Sequence, residues 1–280
     1  LYDARPLPGG LNTYGVAEYK LPLVESLREI EMLAQLGVEF HFDTLIDAQG
    51  LTNLEGDHDA VFLGIGLGAI HKLGVPGEEL AGVTNALDLI AGYKSGAWPS
   101  TPPRVVVVGA GNTAIDAAIA AVRLGSSDVH IVYRRGAEQM SAFAFEYEHA
   151  RLEGVKFLWH VQPTRVLGSA AVEGLELITL AASEDGVVPQ PGVPQPGSEF
   201  SLPADLVVLA IGQANQTSLS EKLELQRGRI VVDRATGQTS VPKYFSGGDC
   251  TNGGREVVDA VADGKRAGIG IAAWLGVKHA

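Results

Sequence analysis

Two glycines and two arginines are the residues of this chain best placed to do chemistry. The glycines stand in VVVVGAGNTA, residues 105–114, where a β-branched run breaks into a turn at Gly109 and Gly111 and an alanine-rich stretch follows. The arginines, Arg134 and Arg135, close the next apolar run, VHIVY. A glycine turn between a strand and a helix is a phosphate cradle. Gly109 permits the tight turn, and Gly111 lets a pyrophosphate approach bare backbone. The first N–H groups of the helix, at Asn112 and Thr113, then meet the anion with the positive end of the helix dipole. Ala114 stands where a third glycine often does, and alanine is tolerated there because that position serves close packing of helix on strand.

The arginines decide which dinucleotide fits. A site for NAD places Asp or Glu at the end of the second strand, where it accepts from the ribose 2′-hydroxyl and repels a 2′-phosphate. Guanidinium groups at that place match phosphate geometry bidentately and turn repulsion into attraction. Two arginines after a strand are often only a solvated loop. Here they follow the glycine turn in a chain of net charge −12, and the expected ligand is NADP(H).

The elements that must hold these residues read as a buried parallel strand over 104–108, a helix over 113–124 closed by Gly125, and a second strand over 129–133 one crossover later. Upstream, Leu23, Leu27, Ile30 and Ala34 share one helical face stopped by Gly37, followed by strand-like VEFHF and by DAVFLGI at 59–65. Residues 80–93 read as a short helix before the WPSTPP punctuation. Downstream come an amphipathic stretch over 141–153, the strand VKFLWH, and a hairpin over 165–180 with Gly174 near its turn. PQPGVPQPG at 189–197 reads as a surface loop joining two strands of a small antiparallel layer. ADLVVLAIGQ at 204–213 repeats the form of DAVFLGIGLG, as expected where a chain leaves one domain, builds a second and returns.

Composition excludes more than it identifies. A length of 280 residues with 46% apolar content supports about two domains. The acidic balance argues against nucleic acid, which needs clustered Lys and Arg. No apolar run approaches the roughly 20 residues that span a bilayer, and no basic leader is present, so a cytoplasmic place and no membrane partner are expected. The single cysteine, Cys250, rules out an intrachain disulfide, a CxxC dithiol and a cluster held by this chain's cysteines alone; a buried structural thiol is expected. The seven histidines form no HExxH or tight cluster, so no metal site is expected. No Tyr-x-x-x-Lys occurs, and no Gly-Lys-Ser or Gly-Lys-Thr follows the glycine turn.

In order, DAVFLGIG, VVVVGAGNTAIDAA, YRR, MSAFAFEYEHARLEGV, ADLVVLAIGQ and YFSGGDCTNGGREVVDAVADGKRAG resemble the two-domain NADPH-dependent flavoprotein reductases, above all the glutamate synthase small subunit and the reductase part of dihydropyrimidine dehydrogenase. The resemblance covers nearly the whole chain. It implies an α/β fold of two Rossmann-like three-layer nucleotide-binding domains of the glutathione-reductase type. A discontinuous FAD domain at 1–67 and 214–280 would hold an inserted NADP(H) domain at 68–213. Ala210, Ile211 and Gly212 would join the cofactor-binding residues. Gly248 and Asp249 would contact the ribityl and pyrophosphate region of FAD, a role that suits a carboxylate facing hydroxyls and a glycine admitting close backbone approach. A turn aspartate is the plainer reading of Asp249 taken alone. The helix from Glu256, Val257 and Val258 would aim its N-terminus at the flavin pyrimidine carbonyls. Gly9, Gly10, Leu11 and Lys20 would lie along the other side of the flavin.

The same resemblance implies a further amino-terminal strand, GxGxxG turn and helix for FAD, preceded by iron-sulfur cysteines, and this sequence contains neither. FAD binding by the chain alone is therefore expected to be weak. The chain is expected to be a fragment of a longer protein, a reading Leu1 favours, or a component completed by a partner. The implied activity is hydride transfer from NADPH to FAD, with electrons passed to iron-sulfur clusters and a larger catalytic subunit or domain; the alternative is an NADP(H)-binding module without chemistry. No catalytic residue is nominated, because hydride transfer demands alignment more than an acid or base. Glu146 and Glu148 are candidates to shape the nicotinamide pocket, with a solvated helix face the preferred reading of both. Changing Arg134 and Arg135 together to Ala should cost about 2–4 kcal/mol in NADPH binding by calorimetry from lost charge-assisted bonds, and scarcely alter NADH binding. An equal loss for both nucleotides would contradict the assignment.

Overall fold

The computed structural model describes residues 1–181, 192–215 and 218–277. The chain divides into two compact units, one of Leu1–Pro6, Val38–Ala69 and Gln213–Ala280, the other of Leu7–Gly37 and Ile70–Gly212.

The second unit is built on the valine strand, Arg104–Val108, at the centre of a five-stranded parallel sheet. Across the sheet the order is Val83–Asn85, Leu206–Leu209, Arg104–Val108, Asp128–Tyr133 and Lys156–Trp159. Parallel strands need crossovers, and both faces are then covered, which is why the central runs are valine throughout rather than alternating. Val105 and Val107 pack with Ile115 and Ile119 of the helix Asn112–Arg123 and with Leu89 and Ile90 of the helix Ala86–Ser95. Val106 and Val108 point the other way, onto Leu175 and Leu177 of an antiparallel layer. That layer is the hairpin Val161–Gly168 and Val172–Ala181, extended by Phe200–Pro203 and by Val193–Pro194.

Several expectations shift in detail. The hairpin turns between Gly168 and Val172, so Gly174 lies inside a strand. Its glycine is explained by close approach, since a Cβ there would stand 3.0 Å from the Leu202 carbonyl oxygen. Residues 83–85, read within a helical stretch, form the edge strand before the helix Ala86–Ser95, which Asn85 caps by accepting from the Asp88 N–H. Of the 189–197 loop, residues 189–191 lie outside the described residues, and Val193–Pro194 pairs with Leu180 and Ala181.

Leu7–Gly37, expected with the residues on either side of it, packs with the second unit. Apolar packing of Tyr19 on the core of that unit contributes, and charged contacts fix the segment. The Lys94 ammonium, with its side chain 1% exposed, donates to the carbonyls of Asn12, Val16 and Leu21 at 2.8–2.9 Å. Tyr19 and Lys20 reach across to Asp116. Burial pushes the Lys94 amine below the ordinary lysine range. The helix Leu23–Gln35 forms as the periodicity predicts, but only Ser26 of it is buried.

The first unit has a two-stranded parallel sheet, Val61–Leu63 with Tyr244–Ser246. Its core is Leu51, Leu63, Leu223, Ile230, Tyr244 and Cys250. Cys250 is buried against Ser246 and the Leu63 and Gly247 carbonyls, as a structural thiol would be. VEFHF does not form a strand: its one ladder contact is an isolated parallel bridge between His41 and Tyr2. A strand forms only where a neighbour satisfies its N–H and C=O groups, and among the described residues this segment has no partner strand. No helix among the described residues is long and apolar enough to cross a membrane.

Lys94→Met should destabilise the chain by about 2–4 kcal/mol in urea unfolding, since three carbonyls lose a charged donor together. Lys222→Met, which removes an exposed pair with Glu55, should cost less than about 1 kcal/mol. Equal effects would show that Lys94 does not hold the Leu7–Gly37 segment in place.

Candidate functional site

Gly109 sets the geometry of the glycine turn. Its φ of +125° is open to glycine, and a Cβ there would overlap the Ala210 carbonyl oxygen. The turn is held on both sides: Gly109 N–H donates to Val132 O at 3.0 Å and Ala210 N–H to Val108 O at 2.9 Å. Gly111, with φ −91°, needs no special backbone conformation. It precedes the helix without any side-chain cap, and the one atom within 4 Å of a Cβ built there is Ser141 Oγ at 3.3 Å. Among the described residues the Asn112 and Thr113 N–H groups have no acceptor, so the helix starts with free donors, the arrangement a phosphate requires. Ala114 is fully buried, as close helix packing demands. Asn112 also braces the neighbouring segment, because its Oδ1 accepts from Phe143 N–H at 3.1 Å and holds the lead into the helix Ala144–Leu152 beside the turn.

Arg134 and Arg135 follow the strand Asp128–Tyr133, whose residues pair with the valine strand in parallel register. Arg134 is exposed and Arg135 half-buried, and among the described residues neither makes an ion pair. Arg135 Nε is buried with no hydrogen-bond partner. A buried guanidinium N–H with nothing to donate to is costly unless a ligand supplies the acceptor. This orphaned donor fits a phosphate oxygen. Ala210, Ile211 and Gly212 continue the neighbouring strand Leu206–Leu209, with Ala210 against the Gly109 turn.

Sequence reasoning missed a charged cluster beside this turn. Lys20 Nζ lies 2.7 Å from Asp116 Oδ1 and 2.6 Å from Glu146 Oε2, and Tyr19 OH donates to Asp116 at 2.8 Å. The two carboxylate side chains are 6% and 7% exposed. Glu146 is thus buried and paired, contrary to the solvated helix face expected of it, whereas Glu148 is exposed and pairs with Arg151. The structure places Lys20 on these carboxylates. Burial and the Asp116 carboxylate push the Tyr19 phenol far above its ordinary range. The available signal was Asp116 itself, a charge within the alanine-rich run NTAIDAAIAA whose other residues read as buried.

Gly9 and Gly10 also have positive φ, 102° and 54°, and a Cβ on Gly9 would overlap Thr13 Oγ1. They lead into the short helix Leu11–Tyr14, with Leu11 exposed.

In the first unit, Gly248 has φ +78° and donates to Asp263 Oδ2 at 3.0 Å. Asp249 accepts from Arg255 N–H at 3.3 Å through one oxygen, leaving the other without a protein donor among the described residues. Glu256 precedes the helix Val257–Trp274 and donates its N–H to Asp259 at 3.3 Å. Val257 and Val258 open that helix 41% and 73% exposed. An acceptor oxygen, a permissive glycine and an exposed apolar helix start are the features a flavin nucleotide can use. Among the described residues no group of His, Cys, Asp and Glu could hold a metal ion.

The family model for pyridine nucleotide-disulphide oxidoreductases matches residues 15–264. The chain is 38% identical over 283 residues to the beta subunit of an NADP(+)-dependent formate dehydrogenase from Moorella thermoacetica, covering 98% of this chain and 40% of that protein. It is 37% identical over 300 residues to the small chain of the NADPH glutamate synthase of Escherichia coli K12, covering 99% and 63%. The chain thus spans 40% to 63% of these curated relatives. Among solved structures it is similar to FprA of Mycobacterium tuberculosis in complex with NADPH, with TM-score 0.74 at 20% identity over 98% of this chain and 77% of that one. Thioredoxin reductase of T. acidophilum gives TM-score 0.73 at 20% identity, covering 97% and 88%. These likenesses bear out the two-domain α/β expectation for the fold. With the glycine turn, the parallel sheet around it and a family match over residues 15–264, the chain belongs to the pyridine nucleotide-disulphide oxidoreductase family.

Proposed function

We propose that this chain is the electron-entry part of an NADPH-dependent flavin reductase. It takes hydride from NADPH onto FAD and passes the electrons to iron-sulfur clusters or a partner dehydrogenase or synthase subunit. The observation that carries this reading is the pair of arginines at the end of the strand Asp128–Tyr133 that have no ion-pair partner among the described residues, one of them with a buried donor lacking an acceptor there. The names of the relatives support it, since they include an NADP(+)-dependent and an NADPH-dependent enzyme subunit. The family name also speaks of disulphides, but with Cys250 as its single cysteine this chain offers no dithiol.

On this reading 70–212 holds NADP(H), and the discontinuous unit holds part of the FAD site. Leu7–Gly37 belongs by packing to the nucleotide-binding unit. The free N–H groups after Gly111 take the pyrophosphate, and Arg134 and Arg135 take the 2′-phosphate. Ala210, Ile211 and Gly212 bound the path toward the nicotinamide. In the discontinuous unit Gly248, Asp249, Glu256, Val257 and Val258 serve the flavin, with one Asp249 oxygen available to accept from a ribityl hydroxyl. Bound FAD supplies a hydride acceptor that can release electrons singly. The chain's own residues bind and orient; none needs to move a proton for the hydride step. We place the protein in the cytoplasm, which suits a lone buried thiol.

A second reading, an NADP(H)-binding module without chemistry, is favoured by one observation: among the described residues the sheets of the flavin-side unit are all two-stranded. The readings separate when the chain is incubated with FAD, freed of excess, scanned for flavin absorbance and mixed anaerobically with NADPH or NADH. Flavin bleaching by NADPH well ahead of NADH is the result expected of the reductase. A colourless chain that still prefers NADPH supports the binding module, and failure to bind either nucleotide overturns both.

A further inference from the structure

We propose that His160 is a third member of the 2′-phosphate site and helps to set the preference for NADP(H) over NAD(H). This rests on the assignment of that phosphate to Arg134 and Arg135.

His160 follows the strand Lys156–Trp159, the neighbour of the strand that ends in the arginines. Its backbone is tied to them directly, His160 N–H donating to Arg135 O at 3.2 Å. On the other side its carbonyl accepts from Leu180 N–H at 2.7 Å, so the residue is pinned between two strands. Its φ is +56°, a left-handed conformation that non-glycine residues enter rarely and that here aims the side chain at the loop. The imidazole reaches Gly136: a Cβ built on that glycine would stand 3.0 Å from His160 Nε2 and 3.3 Å from the ring carbon Cε1. Gly136 has an ordinary φ of −83°, so the backbone does not require glycine there. What the missing side chain provides is room for the ring.

Three nitrogen-bearing groups therefore converge on one loop without a protein acceptor to satisfy them. Among the described residues Arg134 pairs with no carboxylate, Arg135 Nε is buried without a partner, and the His160 ring makes no hydrogen bond. In a chain with 33 acidic side chains against 21 basic ones, three such neighbours left without an anion are unusual. A dianionic phosphate has three terminal oxygens and can engage all three groups at once. An imidazole N–H serves a phosphate oxygen whether the ring is neutral or charged, and serves it more strongly when charged. The 2′-hydroxyl of NAD(H) offers nothing comparable.

The test uses adenosine 2′,5′-bisphosphate and adenosine 5′-monophosphate as calorimetric probes, which isolate the adenosine end from the nicotinamide and from any flavin. His160→Ala should weaken the bisphosphate about tenfold, the loss of one charge-assisted hydrogen bond, and leave the monophosphate within about twofold. His160→Asn tolerates the left-handed backbone and keeps an uncharged donor; it should recover part of the loss and guard against misfolding of the alanine variant. Equal weakening of both probes, or no weakening of either, would overturn the role of His160 while native preference for the bisphosphate leaves the arginine assignment standing. A native chain that binds the two probes alike would overturn both.

Discussion

The close approach of two strand ends at Gly109 is the constraint on which the second unit depends. The valine strand lies between the strands Leu206–Leu209 and Asp128–Tyr133 in parallel register, so all three end on the same side of the sheet. The chain must leave the central strand through the gap between Ala210 and Val132, and a Cβ at 109 would overlap the Ala210 carbonyl. A larger residue would push that carbonyl away and open the central strand pair. The free start of the helix Asn112–Arg123 and the place of the arginines follow from the same arrangement, since adjacent parallel strands deliver their ends to one edge, where ligands bind in open α/β sheets.

Charge is distributed around this turn in two different ways. Lys20 and Lys94 are consumed within the fold, one by Asp116 and Glu146, the other by three backbone carbonyls. They fasten Leu7–Gly37 to the rest of the second unit. Breaking either contact would leave buried polar atoms without a partner, so both are constraints on structure. The arginines at 134 and 135 stand apart from this pattern, in a strongly acidic chain, with no carboxylate among the described residues paired to them. Under the proposed function an external anion completes their electrostatics.

Much of this was legible in the sequence because it rests on local rules. The valine run, the glycine turn, the alanine-rich helix and the arginine pair are short-range signals, and each appears within a residue or two of its expected place. What could not be read depended on contacts distant in sequence. VEFHF has strand composition, but a strand requires a neighbour, and its composition does not say whether one exists. Residues 83–85 looked helical because pairing with Val207, Val208 and Leu209 decides their state. Glu146 reads as a polar helix position until Lys20, far away in the chain, is brought onto it. His160 carries no motif at all, and its place beside Gly136 depends on the pairing of two strand ends and a left-handed backbone that its own residue type does not announce.

The most direct test of the account is an experimental structure of the chain with NADP+ bound. It should show the pyrophosphate on the N–H groups that follow Gly111 and the 2′-phosphate within hydrogen-bond distance of the Arg134 and Arg135 guanidinium groups, with Arg135 Nε or its neighbouring nitrogens donating. A nucleotide seated elsewhere, or one lying in the glycine turn with its 2′-phosphate in solvent, would contradict it.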